Sequence, residues 1–155
     1  MRVSLQPTYI LHSRPYRDTS LILEVLCAEH GRISLVSKGA RRRTKGGSNA
    51  ALLQPFVPLL LSFSGRSEMK TLTHVEAAGV APQLRGERLF SGMYMNELLM
   101  RLLHRHDPHP QLFAAYGAAL GELADAAPVE ATLRRFELGL LEELGYGFSL
   151  LEDGQ

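Results

Sequence analysis

Only one cysteine, Cys27, occurs in 155 residues, and it sits in an apolar run. That excludes an intrachain disulfide and a four-cysteine metal site, and it suits a reducing cytoplasm. Long hydrophobic runs are missing too. Runs such as Val57 to Leu61, interrupted by Pro58, fall far short of the roughly 20 residues of a membrane span. The N-terminus, M-R-V-S-L-Q-P, has neither an unbroken apolar core nor a small-residue cleavage site, so neither secretion nor membrane insertion is expected. Also absent are a Gly-flanked nucleophile, a phosphate-cradling Gly-Lys-Ser/Thr loop and a Gly-rich nucleotide fingerprint. The expectation is a protein that is not an enzyme and that holds no cofactor and no metal.

Net charge is only +1, yet this conceals an asymmetry. Residues 1 to 80 hold eleven Lys and Arg against five Asp and Glu, a balance of +6; residues 81 to 155 hold six against eleven, a balance of −5. The densest cluster is S-K-G-A-R-R-R-T-K-G-G-S-N, Ser37 to Asn49, with five cations in thirteen residues and no acid. It reads as a mobile, cationic loop between two strands, suited to meeting a polyanion. Charge alone does not separate such an arm from a loop that is polar merely because it is exposed.

From Thr8 to Ala77 short apolar or alternating runs are separated by turn residues, which predicts five strands: Tyr9 to His12, Ser20 to Leu26, Arg32 to Ser37, Phe56 to Phe63 and Met69 to Glu76. Glu29-His30-Gly31 and Ser64-Gly65-Arg66-Ser67 make tight connections, implying antiparallel pairing, and closure would remove the sheet edges. An antiparallel five-stranded OB-like barrel is expected over residues 1–79. After Gly79 the apolar spacing becomes helical, predicting an all-helical domain over 80–155 and an α+β chain. Its helices are read as Glu87 to His106, Pro110 to Ala126, and a third that begins near Pro128 and stops at Gly145. Phe148 to Gln155 reads as a chain end.

Candidate sites follow from this layout. Lys38, Arg41, Arg42, Arg43 and Lys45 can neutralise phosphates, with affinity that weakens steeply as salt rises. Arg14-Pro15-Tyr16-Arg17, between the first two strands, puts two guanidiniums beside a ring, either to track a backbone and stack a base or with Tyr16 plugging the barrel's end. Phe63 and Arg66 present the same choice. His104, His106 and His109 lack the spacing and companions of a metal site. Arg134 and Arg135, in R-R-F-E beside an apolar stripe, could hold an acidic peptide with hydrophobic residues or could be ordinary surface arginines.

An ordered series runs through nearly the whole chain: L-H-S-R-P-Y from Leu11, D-T-S-L from Asp18, G-R at Gly31, K-G-A-R from Lys38, L-Q-P-F from Leu53, K-T-L from Lys70 with Glu76, N-E-L from Asn96, L-R-R-F-E-L from Leu133 and L-G-Y-G from Leu144. This series resembles the bacterial recombination mediators of the RecO family. The resemblance implies an OB-fold barrel followed by helices and a non-enzymatic, cytoplasmic, nucleoid-associated role in gap repair. It implies binding of single- and double-stranded DNA, strand annealing, and work with RecR, in some relatives RecF, that lets RecA replace single-strand-binding protein. Carried over by position, DNA binding would fall on Arg14, Arg17, Lys38, Arg41, Arg42, Arg43 and Lys45. The acidic C-terminal tail of single-strand-binding protein would meet Arg134. Members usually continue well beyond the L-G-Y-G segment, some with a cysteine-ligated zinc. With Cys27 alone, no such zinc is expected here, and the helical domain is expected to be shorter than the family's.

Overall fold

Strands β2 (Ser20–Cys27) and β3 (Gly31–Ser37) pair antiparallel from Leu21↔Ser37 to Cys27↔Gly31. Their alternate residues Leu21, Leu23, Val25, Cys27, Ile33 and Leu35 enter one apolar core. The computed structural model describes residues 1–41 and 49–145. With β1 (Arg2–Tyr16), β4 (Leu59–Ser64) and β5 (Met69–Ala77), these strands close a barrel in the order β1-β2-β3-β5-β4. Four pairings are antiparallel, but β3 and β5 run parallel at Ser34↔Met69 to Val36↔Thr71. The expected all-antiparallel barrel is thus corrected. Directions cannot alternate all the way round a closed ring of five strands, so one adjacent pair must be parallel.

The first strand is also longer than alternation predicts, starting at Arg2 rather than Tyr9. Its register on β4 shifts between Val3 and Gln6, where Leu5 has φ of +47°, and this bulge disrupts the period that would have revealed the strand. A second shift falls between Ile10 and His12, and strand alternation sends the neighbours Ile10 and Leu11 to different cores. Ile10 points into the barrel, whereas Leu11 joins Leu26 and Phe56 on its outer wall and packs on the helices. Phe56 to Pro58 precede β4 rather than belonging to it, and Phe56 has φ of +75°.

The helices are α1 (Glu87–Leu102), α2 (Pro110–Ala124) and α3 (Val129–Glu143). Met95, Leu99, Leu112, Tyr116, Leu120, Leu123, Phe136 and Leu140 form their core against the barrel wall. Gly92 on α1 allows close approach, since a Cβ there would lie 2.9 Å from the Phe56 ring. The first helix stops four residues before the expected His106 because Leu103 turns extended and buries itself in the helical core. The chain then runs along the start of β3: Arg32 Nε donates to the Leu103 carbonyl at 3.1 Å, and the His106 amide donates to the Arg32 carbonyl at 2.9 Å. Gly31 makes room for it, having φ of +71° and standing where a Cβ would come within 2.3 Å of the Asp107 carbonyl oxygen. None of the helices among the described residues is long and apolar enough to cross a membrane.

Candidate nucleic-acid interface

The register of β1 on β2 places Arg14 opposite Ile22 and Tyr16 opposite Ser20, so these side chains share the barrel's outer face. Arg17 begins the β1–β2 turn with φ of +54°, and its guanidinium carbon lies 5.0 Å from the centre of the Tyr16 ring. Tyr16 is half-buried beneath it, in geometry that a cation–π contact favours. Lys38 is exposed just past the end of β3, and Ala40 returns to the barrel core. Arg41 follows, exposed, with its backbone and guanidinium both bonded to the β1–β2 turn. Arg42, Arg43 and Lys45 lie outside the described residues.

Further along the same face stands a cluster that sequence reading missed. Glu24 accepts from Ser34 Oγ at 2.7 Å, from Arg32 at 3.4 Å and from two nitrogens of Arg105 at 3.1 and 3.2 Å. Burial and the neighbouring Arg105 lower the Arg32 pKa, against the opposing pull of Glu24. Arg14, Ile22, Glu24, Ser34, Glu68, Met69 and Arg105 line one open cleft of about 290 Å³. Arg105 belongs to the post-α1 segment, and no spacing within the chain points to it. The Gly31-Arg32 pair was visible, but not its use.

Phe63 is completely buried in the barrel core, which settles its role as packing, while Arg66 is exposed on the β4–β5 turn. Cys27 is fully buried, and burial pushes its thiol up to about 12, so it is a poor nucleophile at neutral pH. His109 lies between Asp107, at 3.3 Å, and Glu143, at 3.1 Å, tying the start of α2 to the end of α3. His104 and His106 are exposed.

The two arginines of R-R-F-E diverge. Arg135 is paired with Glu122 on α2, whereas Arg134 is exposed on the other flank of α3. On that flank Leu98, Leu102, Glu137, Leu140 and Leu141 line an apolar cleft between α1 and α3. The Tyr94 hydroxyl donates to Glu137 of this lining at 2.5 Å, a bond that raises the phenol's pKa. Arg134 lies one turn before the exposed Leu138 and two before Leu141, so its position on α3 is on the same helix side as Leu141, which lines this cleft.

A small closed barrel with an exposed basic face, followed by three packed helices, defines an OB-type module joined to a helical unit. The family model for the N-terminal part of recombination protein O matches residues 1–80, and that for its C-terminal part matches residues 83–154. The chain belongs to the RecO family of DNA repair proteins. It is 54% identical to DNA repair protein RecO of Methylococcus capsulatus over 96% of this chain and 61% of that protein. Against the protein of the same name from Nitrosococcus oceani it is 52% identical over 97% of this chain and 60% of the relative. The Pseudomonas paraeruginosa relative gives 50% identity over 94% and 60%. The chain therefore spans about three-fifths of the length of the curated relatives it matches.

Proposed function

We propose that this chain is the DNA-binding portion of a recombination mediator, with residues 1–79 as the DNA-binding domain and 80–155 as the helical one. In this reading it binds single- and double-stranded DNA, promotes annealing and helps RecA onto DNA coated by single-strand-binding protein, together with RecR and in some relatives RecF. It makes and breaks no covalent bond, and it acts in the bacterial cytoplasm at the nucleoid. The observation that carries this is the placement of Arg14 and Tyr16 on the barrel's outer face, with the Arg17 guanidinium over the Tyr16 ring and Lys38 exposed just past the end of β3. Arg41 begins the run that continues in sequence to Arg42, Arg43 and Lys45. Guanidiniums meet phosphates, and a held ring offers a base a stacking surface worth roughly 1–3 kcal/mol. Replacing Arg14, Arg17 and Lys38 with Ala should weaken binding of a fluorescent oligo(dT) and flatten its salt dependence by about one unit per lost contact. Unchanged affinity and slope would sink the reading.

A second reading is favoured by the apolar cleft between α1 and α3 and by the exposed Arg134 two helical turns before Leu141 of its lining. There the chain is an adaptor that receives the acidic, apolar tail of single-strand-binding protein, the carboxylates meeting Arg134 and the hydrophobic residues entering the cleft. Arg134→Ala should reduce binding of a tail peptide and leave naked DNA binding intact. If the unmutated chain does not bind the peptide, the adaptor reading fails.

A further inference from the structure

Four consecutive carbonyls of the β1–β2 turn converge on one residue. The Arg41 guanidinium donates through Nη2 to the carbonyls of Arg17, at 2.6 Å, and Asp18, at 2.8 Å, and through Nε to that of Ser20, at 3.2 Å. The remaining carbonyl, Thr19, accepts the Arg41 backbone N–H at 2.8 Å. We infer that Arg41 is a positioning residue, a clamp that holds this turn in the form that presents Arg17 and Tyr16, rather than one more phosphate contact. The inference rests on the DNA-binding reading above and assigns this arginine a different role within it.

Three features make the clamp a built one. Its footing is rigid, because the preceding Ala40 is buried in the barrel core and Ser37, at the end of β3, is paired with Leu21. The turn it grips has a reason to relax, since Arg17 is a non-glycine residue at φ of +54°, a conformation that persists only when its surroundings impose it. The donor set also suits a clamp, because a planar guanidinium directs several N–H groups along a fixed fork, and three of its five N–H groups are used here. A lysine ammonium, a single point charge on a flexible stem, cannot span the Arg17, Asp18 and Ser20 oxygens in the same way.

The clamp joins two basic stretches that lie more than twenty residues apart in sequence, Arg14 to Arg17 and Lys38 to Arg41. Holding the turn keeps the Arg17 guanidinium over the Tyr16 ring before DNA arrives, so less ordering remains to be done on binding.

Arg41→Lys separates a clamp from a contact because it keeps the charge and removes the fork. A clamp predicts that Arg41→Lys weakens binding of a labelled oligo(dT) by about fivefold, with a salt slope like that of the unmutated chain. It also predicts faster amide hydrogen exchange across Arg17 to Ser20, with unchanged circular dichroism. Arg41→Ala should show the same faster exchange. A contact predicts that Arg41→Lys binds within about twofold of the unmutated chain and that Arg41→Ala lowers the slope by about one unit. That result, or unaltered exchange in the turn, overturns the inference and leaves the DNA-binding reading in place. If the unmutated chain does not bind oligo(dT) at all, the DNA-binding reading falls and the inference with it.

Discussion

The Tyr116 hydroxyl donates to Asn96 Oδ1 at 2.5 Å, and Asn96 Nδ2 in turn donates to the Leu11 carbonyl at 3.2 Å. Both side chains are buried, so this relay ties α2 through α1 to the barrel wall where water cannot replace a lost partner. Tyr116→Phe should cost about 1–2 kcal/mol in denaturant unfolding, the net value of one such bond plus an unpaired acceptor. Asn96→Ala should cost about 2–4 kcal/mol because it strands both the Tyr116 hydroxyl and the Leu11 carbonyl and leaves a cavity. The double variant should cost less than the sum.

Gly31→Ala tests how the helical unit is joined to β3. The substitution demands a positive φ of a residue with a Cβ and drives that atom into the Asp107 backbone. Destabilisation of about 2 kcal/mol or more is expected by thermal or denaturant unfolding. Gly39→Ala, at φ of +69° but with open space around it, should cost less.

Glu24 is the carboxylate on which Arg32 and Arg105 converge. Glu24→Gln removes one negative charge from the proposed DNA face and loosens Arg105, so oligonucleotide affinity should rise severalfold at low salt and the gain should shrink as salt increases. A fall in affinity would argue that this part of the face does not meet phosphates.

Alkaline pH should expose the buried thiol. Cys27 holds its proton in the folded chain up to about 12, whereas an unfolded cysteine loses it near 8.5, so above that value the folded state binds the extra proton. The thiol's contribution is fully present below the unfolded pKa and is lost as pH rises toward 12, at about 1.4 kcal/mol per pH unit from this group. Cys27→Ala should flatten the decline between pH 9 and 10 in denaturant titrations, before the tyrosines, whose pKa values burial also raises at Tyr9 and Tyr116, add to it.

Much of the architecture was legible because its signals are local. The alternation in Ser20 to Leu26 and Arg32 to Ser37, and the change to helical spacing beyond Gly79, report how each segment buries its own apolar residues. The first seven residues of β1 were not, because bulges near Leu5 and Leu11 break the period that alternation depends on. The parallel β3–β5 pair was missed because strand direction was inferred from short connections, whereas closure of an odd ring imposes it.

The site divides in the same way. The charges of Arg14, Arg17, Lys38, Arg41 and Arg134, and the ring of Tyr16, could be read directly, since residue type and nearby sequence declare them. What those groups do was not readable. Arg41 is engaged by a turn more than twenty residues earlier, Arg105 by a glutamate 81 residues away, and Arg135 by Glu122 while its neighbour Arg134 is exposed on the other flank of α3. Sequence by itself determined the kinds of segment and the basic character of the first half, because apolar periodicity and charge are properties of neighbours. Only the tertiary structure decided which cations are committed to internal partners, because short-range hydrogen bonds depend on which distant residues the closed barrel and packed helices bring within about 3 Å.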